Sequence, residues 1–426
     1  MNYSRAEVLQ FVKENDVKFI KLFFADIFGA IKSISVQPSV LKEAFEQGIS
    51  FDASAVRGFL NVAQSDLFLR PDPATLQVLP WRPQQGRVAR LFCSITYPDG
   101  SAFEGDSRLI LQNVIEQAAK MGLEIKIGTE CEFYLFKLDE NGLPTMIPHD
   151  SAGYCDLAPL DKGENVRRAI ILNLEQMGVE IEASHHETGP GQNEIDFKYD
   201  NALQSADKLS TFKMAVKTVA AQSGLFATFM PKPLKDQAGS GLHINLSLFK
   251  DGKNLFEDSF KNGLQAEAAS FTAGILAHAQ EITAFLNPMK QSYERLGQFE
   301  APMYVSWSSQ NRSQLIRVPA ASGNASRIEL RSPDPSCNHY LAIALIIAAG
   351  LDGLERKLSI PSAVDKDLYR AKEDETETLE KLPQTLAEAL ERTENSAFVQ
   401  TVIPRKTVRQ FTEFKKVEQD SPFGTL

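Results

Sequence analysis

The chain has 426 residues, 43% hydrophobic and 23% charged, the balance of an ordinary globular protein with room for two domains. Its 55 acidic residues outnumber 45 basic ones, and a formal net charge of −10 excludes the broad cationic surface that nucleic acids or acidic membranes require. An anionic ligand must then be met by a local cluster of arginines or metal ions.

The N-terminus is polar and shows no secretory signal, so a cytoplasmic protein is expected. Residues 17–25 are rich in β-branched and aromatic side chains, and a turn at 26–29 leads into 30–36, which predicts a hairpin. The proline-rich stretch 71–83 reads as surface loop with short strands, and 88–96 as strand before the turn Pro98-Asp99-Gly100. Around 104–108 the texture changes, which predicts one domain over 1–103 and a second over 104–426. In the second, apolar spacing predicts helices over 109–121, 164–177, 202–223, 267–286 and 339–358. Strands are expected at 124–137, 194–198, 242–249 and 327–331. Strands and helices without regular βαβ alternation point to an α+β fold. The longest apolar run, 340–351, is too short for a bilayer, which needs about 20 residues. Cys93, Cys131, Cys155 and Cys337 form no CxxC pair and read as reduced, buried thiols. Neither a P-loop nor a strand–GxGxxG–helix signature occurs, so a nucleotide site here is of another kind.

Four segments carry chemistry. In Gly128-Thr-Glu130-Cys-Glu132 the two carboxylates share a strand face and repel each other unless a cation lies between them, the alternative being an exposed face. Glu187 and Glu194 flank a glycine-rich loop that lets them converge, or that is simply a polar turn. In Gly239-Ser-Gly-Leu-His243, a glycine segment runs into a strand with His243, Asn245 and Ser247 on one side. His243 is a ligand there or a structural histidine. In Arg327-Ile-Glu-Leu-Arg331, Arg327, Glu329 and Arg331 share a face, as ligands or as a solvated ion-pair ladder. Together, Glu130, Glu132, Glu187, Glu194, Glu329 and His243 are an oxygen-rich set suited to Mg²⁺ or Mn²⁺. Arg295, Arg312, Arg317, Arg327 and Arg331 are of the type that binds carboxylate and phosphate bidentately. Metals beside arginines in an acidic protein point to phosphoryl transfer onto an anionic substrate.

These motifs also have a familiar order. Phe51-Asp52-Ala-Ser54, Gln64-Ser-Asp66, Gly128-Thr-Glu130-Cys-Glu132, Gly191-Gln-Asn-Glu194, Gly239-Ser-Gly-Leu-His243, Ser292-Tyr-Glu-Arg295, Glu300-Ala-Pro, Asn311-Arg-Ser, Ile316-Arg-Val-Pro and Arg327-Ile-Glu-Leu-Arg331 resemble the type I glutamine synthetases over nearly the whole chain. The resemblance implies an N-terminal β-grasp domain and a catalytic domain with a curved antiparallel sheet and flanking helices. It implies a homo-oligomer, a dodecamer of two hexameric rings, with Asp52 and Asp66 reaching a neighbour's site. It implies ATP-dependent ligation of ammonia to glutamate through γ-glutamyl phosphate, with two or more Mg²⁺ or Mn²⁺ per site. Glu132, Glu187 and Glu194 would hold the metal nearer glutamate; Glu130, His243 and Glu329 would hold the one nearer the phosphates. Arg312 and Arg331 would stabilise the transferred phosphoryl group, and Arg295, with Gly239, would bind glutamate. Arg317, Arg327, Asn245 and Ser247 would contact nucleotide. Asp52 would deprotonate ammonium beside Asp66 and Tyr154, and Glu300 would close the site against water. Arg312 and Arg317 are five apart, so a bend must separate them.

This chain departs from the family pattern at Ala55, Ala238 and Asn245, where serine, asparagine and histidine are usual, and in a short flap, Arg295-Leu-Gly-Gln-Phe-Glu300. Its tail, ending at Leu426, is also short, and Tyr369 reads as an ordinary surface tyrosine. A ligase for a larger amine or polyamine is the alternative function, and an inactive structural or regulatory relative a third.

Overall fold

The computed structural model describes residues 3–418, so the tail 421–426 lies outside the described residues. The N-terminal sheet is built from β1 (Val17–Ala25), β2 (Ile31–Val36), β3 (Ile49–Asp52), β4 (Asp66–Pro71), β5 (Gln77–Val78) and β6 (Arg87–Thr96), in the order β2-β1-β6-β4-β3 with β5 on β6. The expected hairpin forms, with Ala25 opposite Ile31 and the Asp26 carboxylate accepting from the N–H groups of Phe28 and Ala30 across the turn. β1 and β6 run parallel and the other pairs antiparallel. Helix Arg5–Glu14 is held at its start by the reciprocal Ser4–Glu7 capping box.

A second sheet holds β7 (Leu123–Leu138), β8 (Pro144–Pro148), β9 (Ile181–His186), β10 (Gln192–Asn201), β11 (Leu225–Thr228), β12 (Leu242–Lys250), β13 (Lys253–Asn254), β14 (Trp307–Ser309), β15 (Ile316–Val318) and β16 (Ile328–Leu330). Its main path is β14-β15-β16-β12-β7-β10-β9. It is antiparallel except at the edge, where β14 and β15 run parallel. Strand β9 forms from residues that carry no clear strand signal in sequence, and three helices, Leu386–Asn395, Ala397–Val402 and Arg405–Val417, close the chain.

Behind the sheet, helices Ser107–Lys120, Ala202–Gln222, Ala266–Leu286 and His339–Glu355 bury the apolar residues that predict them. The apolar run at 340–351 is a core helix, as its length requires. Helices Ala266–Leu286 and His339–Glu355 touch backbone to backbone: a Cβ on Gly274 would come within 2.1 Å of the Ala349 carbonyl, and one on Gly353 within 2.2 Å of that of Ser270.

Polar groups tie the N-terminal domain to the helices behind the second sheet. Arg108 pairs with Asp72 at 2.9 Å and Asp207 at 2.8 Å. Asn338 caps helix His339–Glu355 through its side-chain oxygen while its amide donates to the carbonyls of Asp26 and Ile27 and to Ser107 Oγ.

Candidate active site

Strand register assembles the site. Glu130 faces His243 on one side and Asp196 on the other, and Glu132 faces Glu194, which in turn faces His185. One row along, Asn245 faces Gly128 and Glu329, and Glu329 faces Arg317. Alternation then sets these side chains on one face, with Cys131, Ile244 and Leu330 on the other.

Glu130, His243 and Glu329 bring ligand atoms within 4.8 Å of one another. His243 Nδ1 lies 3.2 Å from Glu130 and 3.6 Å from Glu329. Burial opposes ionisation of Glu130, but His243 and the Asn245 amide, which donates to it at 2.9 Å, hold its carboxyl down at about 2. Glu329 is wholly buried and ionised between Arg331 and Arg317, so the exposed ion-pair ladder is excluded.

The other glutamates are close but differently engaged. Glu132 accepts from the Gln192 amide at 2.7 Å and from the Gly241 N–H at 3.1 Å. Glu187 and Glu194 converge on His185, at 3.4 and 3.3 Å. Among the described residues Glu132, Glu187 and Glu194 do not form one group within 4.8 Å; His185, Glu194 and Asp196 do. Burial, then Glu187 and Glu194, pushes Glu132 up to about 8, and burial with Glu194 pushes Glu187 up to about 7. Asp196 rises to about 10 for the same reasons. Its bond to Glu194 holds His185 up at about 9, as the imidazolium. Carboxylates that resist their full charge when buried together, around hard oxygens and one imidazole, fit Mg²⁺ or Mn²⁺.

Gly241 is the joint of the site. A Cβ there would lie 2.8 Å from His243 Nε2, 2.9 Å from an Arg295 guanidinium nitrogen and 3.1 Å from a Glu132 oxygen. Arg295 is buried and donates to the carbonyls of Ser332 and Arg331. The Gly239 carbonyl accepts from Gln192. Arg331 also donates to the carbonyls of Arg312 and Glu300 and lies 3.6 Å from the Glu300 carboxylate. Arg312 itself is exposed, in a turn where the Ser313 N–H donates to Asn311; this is the bend required before Arg317. Asn245 bridges Glu130 to Arg327, while Ser247 bonds the Ser326 carbonyl.

Tyr154 is exposed and meets the His185 ring edge-on at 5.3 Å between centroids. Cys155 beside it is exposed too, contrary to the expectation of four buried thiols, because it lies in a loop rather than in the core that holds Cys93, Cys131 and Cys337. Asp52 and Asp66 stand elsewhere, facing each other across β3 and β4 on the N-terminal sheet, and Asp52 bonds Ser54. Tyr369 is exposed, as expected, and its hydroxyl donates to the Arg312 carbonyl at 3.4 Å. His185, Gln192, Asp196 and Gly241 are additions of the structure; the period-2 pattern of β10 was the one signal that could have singled out Gln192 and Asp196 beside Glu194. His186, Asp150 and Asp161 also approach within 4.8 Å, but His186 is held by Asp150 and the Glu187 carbonyl, and Asp161 by Arg167, which makes them a clamp on the Glu187 loop.

Such a surface, with hard-cation ligands against buried arginines, can bind a polyphosphate and an amino-acid carboxylate side by side. Known proteins resemble the chain over nearly its whole length. The family profile described as glutamine synthetase, catalytic domain, matches residues 104–424, and that described as glutamine synthetase, beta-Grasp domain, matches 16–98. The glutamine synthetase of Clostridium saccharobutylicum is 48% identical over 91% of this chain and 88% of its own length. That of Methanosarcina mazei is 46% identical over 98% of this chain and 94% of its own. Among solved structures, GmaS in complex with ADP superposes with a TM-score of 0.87 at 31% identity, covering 98% of this chain and 95% of that one. Glutamine synthetase of Plasmodium falciparum gives 0.86 at 25%, covering 98% and 96%.

Proposed function

The chain belongs to the glutamine synthetase family, with its β-grasp and curled-sheet catalytic domains, and from that premise we propose that it makes glutamine from glutamate, ammonia and ATP. The observation that carries this reading is the triad Glu130, His243 and Glu329, with Arg317 and Arg331 closing on Glu329. Identities of 44–48% to curated glutamine synthetases over most of the chain support ammonia as the amine.

Glu130, His243 and Glu329 would hold one divalent ion, and Glu132, Glu187 and Glu194 a second. Such ions, when bound, neutralise phosphate charge and orient both substrates. Arg295, beside the Gly239–Gly241 backbone, takes the glutamate α-carboxylate. Arg317, Arg327, Asn245 and Ser247 line the nucleotide side. A glutamate γ-carboxylate oxygen attacks the γ-phosphorus of ATP and ADP leaves, with Arg312 and Arg331 meeting the charge on the transferred group. Ammonium, drawn to Asp52, Asp66 and Tyr154, gives a proton to Asp52. Ammonia then attacks the γ-carbonyl carbon of γ-glutamyl phosphate, Glu300 accepts a proton from the new amine, and phosphate leaves. Glu300 also shields the acyl phosphate from water.

The exposed Asp52–Asp66 pair supports sites shared between subunits; a dodecamer of two rings is the assembly that the family resemblance implies. A cytoplasmic location accords with the fact that no helix among the described residues is long and apolar enough to cross a membrane. The test is glutamine formation with ATP, glutamate and Mg²⁺, comparing ammonium with ethylamine and polyamines. Ammonium is expected to be the preferred amine; turnover with bulkier amines alone would overturn this reading.

A further inference from the structure

Lys232 has no part in the reaction assigned above, yet it is only 4% exposed. Its ammonium donates to the Gln237 carbonyl at 2.5 Å and sits 4.5 Å from the centroid of the Phe299 ring. Among the described residues it forms no ion pair; Asp236 and Glu294 act on it from beyond that range. Burying an ammonium without a carboxylate is costly, so its placement answers a geometric demand.

The two partners lie on different loops. Gln237 belongs to the segment 231–241, folded back by the Ser240 N–H on the Pro231 carbonyl and ending in Gly241 between Glu132, His243 and Arg295. Phe299 belongs to the short flap, pinched by the Gly297 N–H on the Ala301 carbonyl and the Ala301 N–H on that of Gln298. There Phe299 and Glu300 both adopt left-handed backbone, with φ of 45° and 67°. Two successive non-glycine residues in that region persist only where their surroundings hold them. The Phe299 ring is 53% exposed, so its own burial does not supply the hold. Besides the two backbone bonds, the side chains that hold it are Lys232 at the ring face and Arg331 at Glu300.

We propose that Lys232 is a positioning residue: it ties the flap to the 231–241 segment through the Phe299 ring and the Gln237 carbonyl, and so keeps Glu300 over the acyl-phosphate site. This rests on the role given to Glu300 above. A ring face and an ammonium make a contact without directional hydrogen bonds, which suits a flap that must seal and reopen.

The experiment uses the assembled enzyme and follows phosphate release and glutamine formation in parallel, at saturating ATP and glutamate and limiting ammonium. Wild type should give the two in equal amounts; if it makes no glutamine, the functional reading fails, and that result is separate from this one. Lys232→Met should raise the ratio of phosphate to glutamine about fivefold, the scale of a lost cation–π contact, because acyl phosphate reaches water. Lys232→Arg should restore the ratio, Phe299→Leu should match Lys232→Met, and the double variant should be no worse than either. A Lys232→Met enzyme with the wild-type ratio would overturn the proposal, whether or not its Tm or overall rate had fallen. If Lys232→Met does not assemble, Phe299→Leu decides by the same ratio.

Discussion

Glu132 stands directly opposite Glu194 across β7 and β10. Like charges in directly opposed positions destabilise a strand pair, and burial at this place adds to the cost. A divalent ion relieves both effects. Mg²⁺ or Mn²⁺ should therefore raise the Tm of the wild-type protein. Glu132→Gln should raise the Tm of EDTA-treated protein above wild type, shrink the metal-induced increment, and lower kcat about 10²–10³-fold. An undiminished increment in Glu132→Gln, followed by calorimetry, would contradict the assignment.

Gly241 has no room for even one carbon, since His243, Arg295 and Glu132 all lie within 3.1 Å of the position it would take. Gly241→Ala should spread these three groups apart. Displacements of that order cost about 100-fold in rate, and the loss should fall on kcat and on glutamate KM together while the far-UV spectrum stays that of wild type.

Asn245 links Glu130 to Arg327 with one side chain, its amide donating at 2.9 Å and its oxygen accepting at 2.9 Å. Asn245→Ala removes two hydrogen bonds to charged groups and leaves Arg327 held by the Ala325 carbonyl alone among its bonds within the described residues. Steady-state kinetics should show ATP KM up about 10-fold, with glutamate KM within twofold of wild type. Equal rises in both would place Asn245 elsewhere in the site's logic.

His278 offers a pH signature far from the chemistry. Its Nε2 lies 2.8 Å from Asp352 and its Nδ1 3.3 Å from Glu281, with the ring stacked on Phe398 and Arg356 sharing Asp352. Burial disfavours the imidazolium, but the two carboxylates outweigh it and hold the group above its ordinary value. The folded pKa then exceeds the unfolded value of about 6.5, so the stabilisation is complete below about pH 6.5 and is lost as pH rises through the folded pKa. Thermal scans should show the wild-type advantage over His278→Gln largest near pH 6 and fading towards pH 9. An advantage that grew with pH would exclude this account.

Much of the site was legible because strand alternation is a local property. The shared face of Glu130 and Glu132, and that of His243 and Asn245, follow from spacing alone and are observed. That Asn245 lies beside Glu329 was not legible: register between strands some 80 residues apart depends on packing that no short window contains. The role of His185 is not legible because 181–186 looks like the approach to a loop, and only its pairing with β10 makes it strand β9. Helix Arg405–Val417 is illegible for a related reason, since its apolar stripe of Val408, Phe411 and Phe414 gains meaning from Phe28 in the β1–β2 turn packed against it.

Asn338 caps one helix with its oxygen and secures the first hairpin with its nitrogen. Fraying of that helix should therefore loosen the N-terminal sheet, and Arg108 between Asp72 and Asp207 ties the two at a second point. The two domains have separate sheets but should melt together, as one cooperative unit, and a fragment ending at the domain boundary would expose carbonyls and a charge that the intact chain buries.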